Sequence, residues 1–226
     1  MRFLKRTVKV KEWKNLVCRQ KMWQEGTTYF HSEKLSEAFI QKVDKLINGQ
    51  RKAKVFVPLC GMAVEMKWLW HNGHEIVGVE CSEVALKQFF EENKIDYNVE
   101  VVPEIKGKRY KSKEGNIRLY CCNFYDFTPS VEHDFGAVWD CGALNAINIE
   151  DQEKYINILK SIMSEHCVNV TVIDDPEEWE ITVTFEKMKY LFNDGFKMEC
   201  SDYIQANDEL KSLGIKGQHI YVISKL

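Results

Sequence analysis

Residues 55–66 read Val55-Phe56-Val57-Pro58-Leu59-Cys60-Gly61-Met62-Ala63-Val64-Glu65-Met66. An apolar run ends at Pro58, turns at Gly61 and restarts with helical spacing. Nineteen positions after Gly61, a second apolar run, Ile76-Val77-Gly78-Val79, ends in Glu80. A glycine turn lets backbone N–H groups approach a ligand, and an acid about 20 residues on can accept hydrogen bonds from ribose hydroxyls. The chemistry implied is recognition of a ribose-bearing cofactor. A dinucleotide fold uses three glycines and cradles a pyrophosphate. Only one glycine stands here, which favours S-adenosylmethionine over NAD.

The cysteines do not add a second chemistry. Eight of them scatter at irregular spacings, which reads as reduced thiols rather than a disulfide framework. No Cys-x-x-Cys pair occurs, and no ligand spacing supports a metal. Cys121-Cys122 is the tight pair, and adjacent strand residues point to opposite faces. Cys60, Cys81, Cys122 and Cys141 fall near predicted strand ends and read as small buried residues. No catalytic side chain is assigned.

Elements that alternate between strand and helix must position these residues. Residues 9–25 read as a helix carrying Trp13, Leu16 and Trp23. Ser32 reads as the N-cap of a second helix with Leu35, Phe39, Val43 and Leu46 on one face, ended by Asn48-Gly49. Strand 53–58, helix 63–72, strand 75–80 and helix 82–93, capped by Ser82, follow. Residues 97–102 and 117–122 read as strands, with a hairpin turn between Tyr110 and Asn116. A strand closes at Asp140, then come helix 150–164 and strand 167–173. Residues 178–184 fit either strand or helix start, and 185–193 reads as helix. Strands 196–204 and 217–224 close the chain as an antiparallel pair. This order predicts an α/β fold: a Rossmann-like, mostly parallel seven-stranded sheet with helices on both faces. It reads as one domain over 1–226, with an N-terminal helical cover over about 1–50. Ligands in such sheets bind at the carboxyl ends of the strands, where Pro58, Glu80, Asn123 and Asp140 all fall.

Composition narrows the function. The chain is 45% hydrophobic and 29% charged, ordinary for a globular protein. A net charge of −3 provides no basic field for nucleic acid or an anionic membrane. No run approaches the roughly 18 apolar residues of a membrane span. Met1-Arg2-Phe3-Leu4-Lys5-Arg6 lacks the apolar core of a signal peptide, so a cytoplasmic location is expected.

Five segments carry a resemblance to the thiopurine S-methyltransferase family. They are Trp23 to Phe30-His31; Pro58-Leu59-Cys60-Gly61 with Val64-Glu65-Met66-Lys67-Trp68; Val77-Gly78-Val79-Glu80 with Ser82-Glu83; Asn116-Ile117 to Leu119-Tyr120-Cys121-Cys122; and Trp139-Asp140 with Gly142-Ala143-Leu144 and Ala146-Ile147-Asn148. The resemblance implies a class I methyltransferase that uses S-adenosylmethionine, releases S-adenosylhomocysteine and acts as a monomer. It places Leu59 and Gly61 at the methionine end of the cofactor. Glu80, with Cys81 beside it, lies at the ribose, and Asn123 and Phe124 flank the adenine. Trp23 and Phe30 cover the cofactor, and Phe30, Pro58 and Cys141 wall the acceptor pocket, Cys141 bordering the cofactor as well.

The departures from the family pattern lie on the acceptor side and in the N-terminal helix. Where the family has arginine after Trp139-Asp140, this chain has Cys141. Asp175-Pro176 leads into a short acidic segment in place of a glycine- and proline-rich loop. An arginine expected before Lys211-Ser212-Leu213-Gly214 is missing. The family often has two tryptophans four apart. Here Arg19 stands four before Trp23, on the same helical face, placed to supply a cation for the cofactor's carboxylate. Loss of the two family arginines predicts a neutral or less acidic acceptor. The function expected is S-methylation of a small aromatic or aliphatic thiol. The alternatives are a selenium compound or an amine as acceptor, or cofactor binding without catalysis.

Overall fold

The computed structural model describes residues 16–28, 32–177 and 183–226. Nine strands form one sheet among the described residues, in the order β3-β4-β5-β2-β1-β6-β7-β9-β8. The strands are β1 (Lys54–Pro58), β2 (Glu75–Glu80), β3 (Tyr97–Val102), β4 (Gly107–Ser112), β5 (Ile117–Cys121), β6 (Phe135–Cys141), β7 (Met163–Pro176), β8 (Phe196–Gln205) and β9 (Ile215–Lys225). The expectation of seven mostly parallel strands is corrected. The five central strands β5, β2, β1, β6 and β7 are parallel, but β3 and β4 on one flank and β9 and β8 on the other pair antiparallel. The sequence reading lacks β4. Its Gly107-Lys108-Arg109-Tyr110-Lys111-Ser112 is charged and shows little apolar alternation, yet it is a strand because β3 and β5 supply ladder partners on both sides.

Helices α1 (Leu16–Gln24), α2 (Glu37–Ile47), α3 (Val64–His71), α4 (Glu83–Glu92), α5 (Gln152–Ile162), α6 (Phe185–Phe192) and α7 (Asp208–Ser212) complete the described elements. Side-chain alternation in β1 divides the core between the two faces of the sheet. Val55 and Val57 meet Phe39 of α2, Met66 and Leu69 of α3 and Leu86 and Phe89 of α4. Phe56 faces Tyr155, Ile156 and Leu159 of α5 and Met188 and Leu191 of α6.

Capping fixes the helix that borders the site. Ser36, not Ser32, is the N-cap of α2: its Oγ accepts the Phe39 N–H at 3.2 Å. Asn48 closes the helix in a left-handed conformation, its N–H returning to Asp44 O. Lys42 and Lys45 of α2 pair with Asp202 and Glu199 of β8, so α2 is tied to the flank of the sheet that forms last in sequence. Helix α5 begins at Gln152 rather than 150, because Ile149–Asp151 form a 3₁₀ turn first.

Candidate functional site

Strands β1, β2 and β6 run parallel and end at Pro58, Glu80 and Cys141, so their carboxyl ends open into one crevice, as topology requires. The turn after β1 is the tightest part. Leu59 and Gly61 both have positive φ, 46° and 47°. Such a conformation is unusual for a leucine and persists only where neighbours hold it. Here the Cys60 N–H donates to Val79 O at 2.9 Å, and the Gly61 N–H donates to Glu80 Oε2 at 3.1 Å. The other oxygen of Glu80 accepts the Ser82 N–H at 2.9 Å and the Cys81 thiol at 3.1 Å. Glu80 is only 6% exposed, and its hydrogen bonds hold the carboxylate fixed at the strand end.

Helix α1 seals this end. The Gln20 amide donates to Cys81 O at 3.0 Å. Trp23, 5% exposed, lies so close to the turn that a Cβ on Gly61 would sit 2.9 Å from its ring. Gly61 is therefore required twice, by its backbone angle and by the indole over it.

A cavity of about 420 Å³ opens here, within the range of small-molecule sites. Trp23, Pro58, Leu59, Gly61 and Glu80 line one part. Glu65, Cys141, Asn145, Asp174 and Gln218 line another, with Ile204, Glu209, Leu213 and Ile215 from the last elements of the sheet flank. A more open depression of about 570 Å³, between Phe127–Pro129 and the outer side of α5, contains none of the residues singled out in the sequence. The enclosed cavity is the candidate site.

The second part is electrostatically unusual. Glu65, 7% exposed, accepts the Ser36 N–H at 3.2 Å. Asp174 accepts the Gln218 amide at 2.8 Å, and burial raises its pKa against the opposing effect of the Gln218 and Asn145 amides. Asn145 lies beside it with a buried Nδ2 that makes no hydrogen bond of ordinary geometry. Cys141 is open to the cavity by surface area, yet protein encloses it. That enclosure pushes its thiol well above the ordinary value, and the nearby Glu65, Asp174 and Asp140 carboxylates push it further. Burial likewise raises Cys60 well above its ordinary value, with Glu80 adding to it. Both are thiols at neutral pH, so neither is poised as a nucleophile. Beneath the turn, fully buried Asp140 accepts the Tyr155 hydroxyl at 2.8 Å and the Leu144 N–H at 3.2 Å. Burial raises its pKa to about 6, against those hydrogen bonds.

Of the residues singled out in the sequence, Trp23, Pro58, Leu59, Gly61, Glu80 and Cys141 meet at the cavity. Cys81 does not line it but touches Glu80. Asn123 and Phe124 are not brought to it. Asn123 caps a short 3₁₀ turn by accepting the Tyr125 N–H at 3.1 Å, and the Phe124 ring is buried, with centroid distances of 4.6 Å to Tyr155 and 6.4 Å to Phe56. Phe30 and the side chain of Arg19 lie outside the described residues, as does Trp13. Glu65, Asp174, Gln218 and the 204–215 segment went unnamed as site residues. Glu65 belongs to the Val64-Glu65-Met66-Lys67-Trp68 segment, and Asp174 directly precedes Asp175-Pro176.

Solved structures share this architecture. The *Burkholderia thailandensis* 1,6-didemethyltoxoflavin-N1-methyltransferase, crystallised with S-adenosylhomocysteine, superposes with a TM-score of 0.64 at 12% identity, covering 91% of this chain and 85% of that one. The magnesium protoporphyrin IX methyltransferase of *Synechocystis* PCC 6803, with bound S-adenosylmethionine, gives 0.58 at 10% identity over 97% of each chain. The fold is that of class I S-adenosylmethionine-dependent methyltransferases. Residues 12–224 match the model of the thiopurine S-methyltransferase family. The chain is 45% identical over 163 residues to a "Probable thiopurine S-methyltransferase" of *Danio rerio*, covering 72% of this chain and 68% of that one. It is 36% identical over 217 residues to the thiopurine S-methyltransferase of *Equus caballus*, covering 93% and 86%. The protein belongs to the thiopurine S-methyltransferase family and is an S-adenosylmethionine-dependent methyltransferase with a small-molecule acceptor.

Proposed function

We propose that the cavity binds S-adenosylmethionine along the Leu59–Gly61 turn and Glu80, and methylates the sulfur of a small thiol. The buried carboxylate of Glu80, fixed by the Gly61 and Ser82 N–H groups at the edge of the cavity, carries this reading. It suits a ribose diol, and the turn that holds it has no room for a side chain at Gly61. The cofactor, when bound, supplies a methyl group already activated on a sulfonium. What this chain must add is alignment and dryness. Trp23 and Trp139 are among the residues that line the cavity, and an aromatic face tolerates a cation. Helix α2 and the β8–β9 flank line another part of the cavity. The sulfur to be methylated sits near Pro58 and Cys141 in this reading. Arg19, Phe30 and Cys81 remain part of the proposed cofactor site.

The same reading has the protein working as a cytoplasmic monomer on a diffusible substrate, without nucleic acid. Among the described residues, no helix is long and apolar enough to cross a membrane. The test is titration calorimetry with S-adenosylhomocysteine, followed by a panel of thiols, selenols and amines with labelled cofactor read by mass spectrometry. Tight binding and label transfer to thiols are expected. Binding without transfer to any member of the panel would refute the enzymatic reading.

A further inference from the structure

Five carboxylates line the cavity among the described residues: Glu37, Glu65, Glu80, Asp174 and Glu209. Lys34 is the single lysine or arginine that lines it with them. Three of the five are accounted for. Glu80 belongs to the turn after β1. Glu37 is exposed and accepts the Gln41 amide. Glu209 accepts the Ser32 hydroxyl at 3.4 Å in an exposed contact.

Glu65 and Asp174 are different. Glu65 is more than nine-tenths buried and accepts one hydrogen bond, from Ser36 N–H to Oε1. Its second oxygen has no hydrogen-bond partner among the described residues. Asp174 is held by the neutral Gln218 amide. The nearby lysine, Lys216, pairs with Asp175 instead. Neither Glu65 nor Asp174 makes an ion pair among the described residues. An uncompensated buried charge is costly, so Glu65 without an ion pair stands out, and Asp174, half-buried at the cavity wall, is held only by neutral amides. These two come from separate elements, the start of α3 and the end of β7, and both act on the Cys141 thiol. The cavity beside that thiol therefore has negative groups contributed from two elements, against the one exposed lysine, Lys34, among the described residues that line it.

We infer that the methyl acceptor carries a positive charge, held between Glu65 and Asp174 beside Cys141: a thiol bearing an ammonium or amidinium group. This rests on the thiol methyltransferase reading above and names its substrate class. Cys141 stands where a cation would have blocked such a group, and Lys34 lies exposed on the segment leading into α2. A thiol bearing a carboxylate would meet two like charges, with only the exposed Lys34 at the cavity to offset them.

Protein saturated with S-adenosylhomocysteine should be titrated by calorimetry with benzylammonium, benzyl alcohol and benzoate. Benzylammonium is expected to bind about tenfold or more tighter than either other probe. Glu65→Gln and Asp174→Asn should each remove most of that advantage while leaving S-adenosylhomocysteine affinity unchanged. Equal binding of the three probes, or tighter binding of benzoate, overturns the inference. So does a variant that weakens S-adenosylhomocysteine as much as benzylammonium, because the carboxylates would then serve the cofactor's own ammonium. Should Glu65→Gln fail to fold, Asp174→Asn and the wild-type ranking still decide. In turnover, 4-(aminomethyl)benzenethiol should exceed 4-mercaptobenzoate in kcat/KM by about tenfold, and the reverse order overturns the inference. If no thiol is methylated while benzylammonium still binds selectively, the thiol reading fails and the cation site stands.

Discussion

The two ends of the cavity are built differently. The end at Gly61 and Glu80 is made of backbone. Two left-handed residues, a strand-to-strand hydrogen bond and a carboxylate fixed by N–H groups all come from one stretch of 24 residues, 59–82. The end at Cys141 is made of side chains from α2, α3, β6, β7 and the last strands, more than 180 residues apart at their extremes. A backbone site fixes a shape that few substitutions can satisfy. A side-chain site can change its charge one residue at a time with the fold untouched. That asymmetry lets the wall at Cys141 change its charge while the turn after β1 stays fixed.

The largest expected effect tests the backbone end. Glu80→Ala removes the proposed ribose contacts, and hydrogen bonds to a charged group are worth about 1.5–3 kcal/mol each. S-adenosylhomocysteine affinity should fall by about a hundredfold by calorimetry. Unchanged affinity would move the ribose elsewhere and dissolve the distinction between the ends.

Asp140 immediately precedes Cys141 at the end of β6 and ties that end of the cavity to pH. Its folded pKa, about 6, is raised from the ordinary 3.8, so the stability it contributes is full below about 3.8 and lost as pH rises through about 6. At 1.36 kcal/mol per unit, the loss between pH 4 and pH 8 is about 3 kcal/mol. Asp140→Asn should gain on the wild type by up to about that amount over the same range, in urea unfolding at several pH values. A constant difference between the two proteins would mean that Asp140 titrates normally.

Gly61→Ala should cost roughly 1–2 kcal/mol for the left-handed backbone and force the Trp23 ring aside. We expect about a tenfold loss of S-adenosylhomocysteine affinity with little change in melting temperature beyond a few degrees. Retained affinity would show that the indole does not press on the turn in solution. The smallest effect belongs to the side-chain end. Cys141→Arg should shift the kcat/KM ratio of a carboxylate-bearing to a neutral aromatic thiol by about fivefold in favour of the former. Identical ratios in the two proteins would remove Cys141 from the acceptor wall.

The same asymmetry governs what could be read from the sequence. The turn after β1 and the acid closing β2 were visible because local spacing encodes them. The helix cap was misplaced by four residues because Ser32 and Ser36 have the same chemistry. Only packing decides between them, and Ser36 wins with its N–H on Glu65 and its hydroxyl on Phe39. The family resemblance sets Asn123 and Phe124 beside the adenine, but they do not line the cavity. Asn123 accepts the Tyr125 N–H of its own turn, and the Phe124 ring packs on Phe56 and Tyr155, which are far away in sequence. Strand β4 was hidden because its burial comes from neighbours rather than from its own apolar pattern. Glu65, Asp174 and Gln218 were missed as a group because nothing local announces that α3, β7 and β9 converge.

Strand β9 has a consequence for biosynthesis. It is not an edge strand but sits between β7 and β8, and its Ile215 and Gln218 line the cavity. A ribosome delivers residues 163–205 well before residues 215–225. Throughout that interval β7 and β8 have no common partner, and one wall of the cavity does not exist. Chains cut short by a premature stop before this segment keep the turn at Gly61 and Glu80 yet lack the strand that completes the sheet. The nascent protein therefore depends on residues 215–225 both to complete the sheet and to close the site, and products truncated before them should be recognised by quality control rather than persist as partial binders.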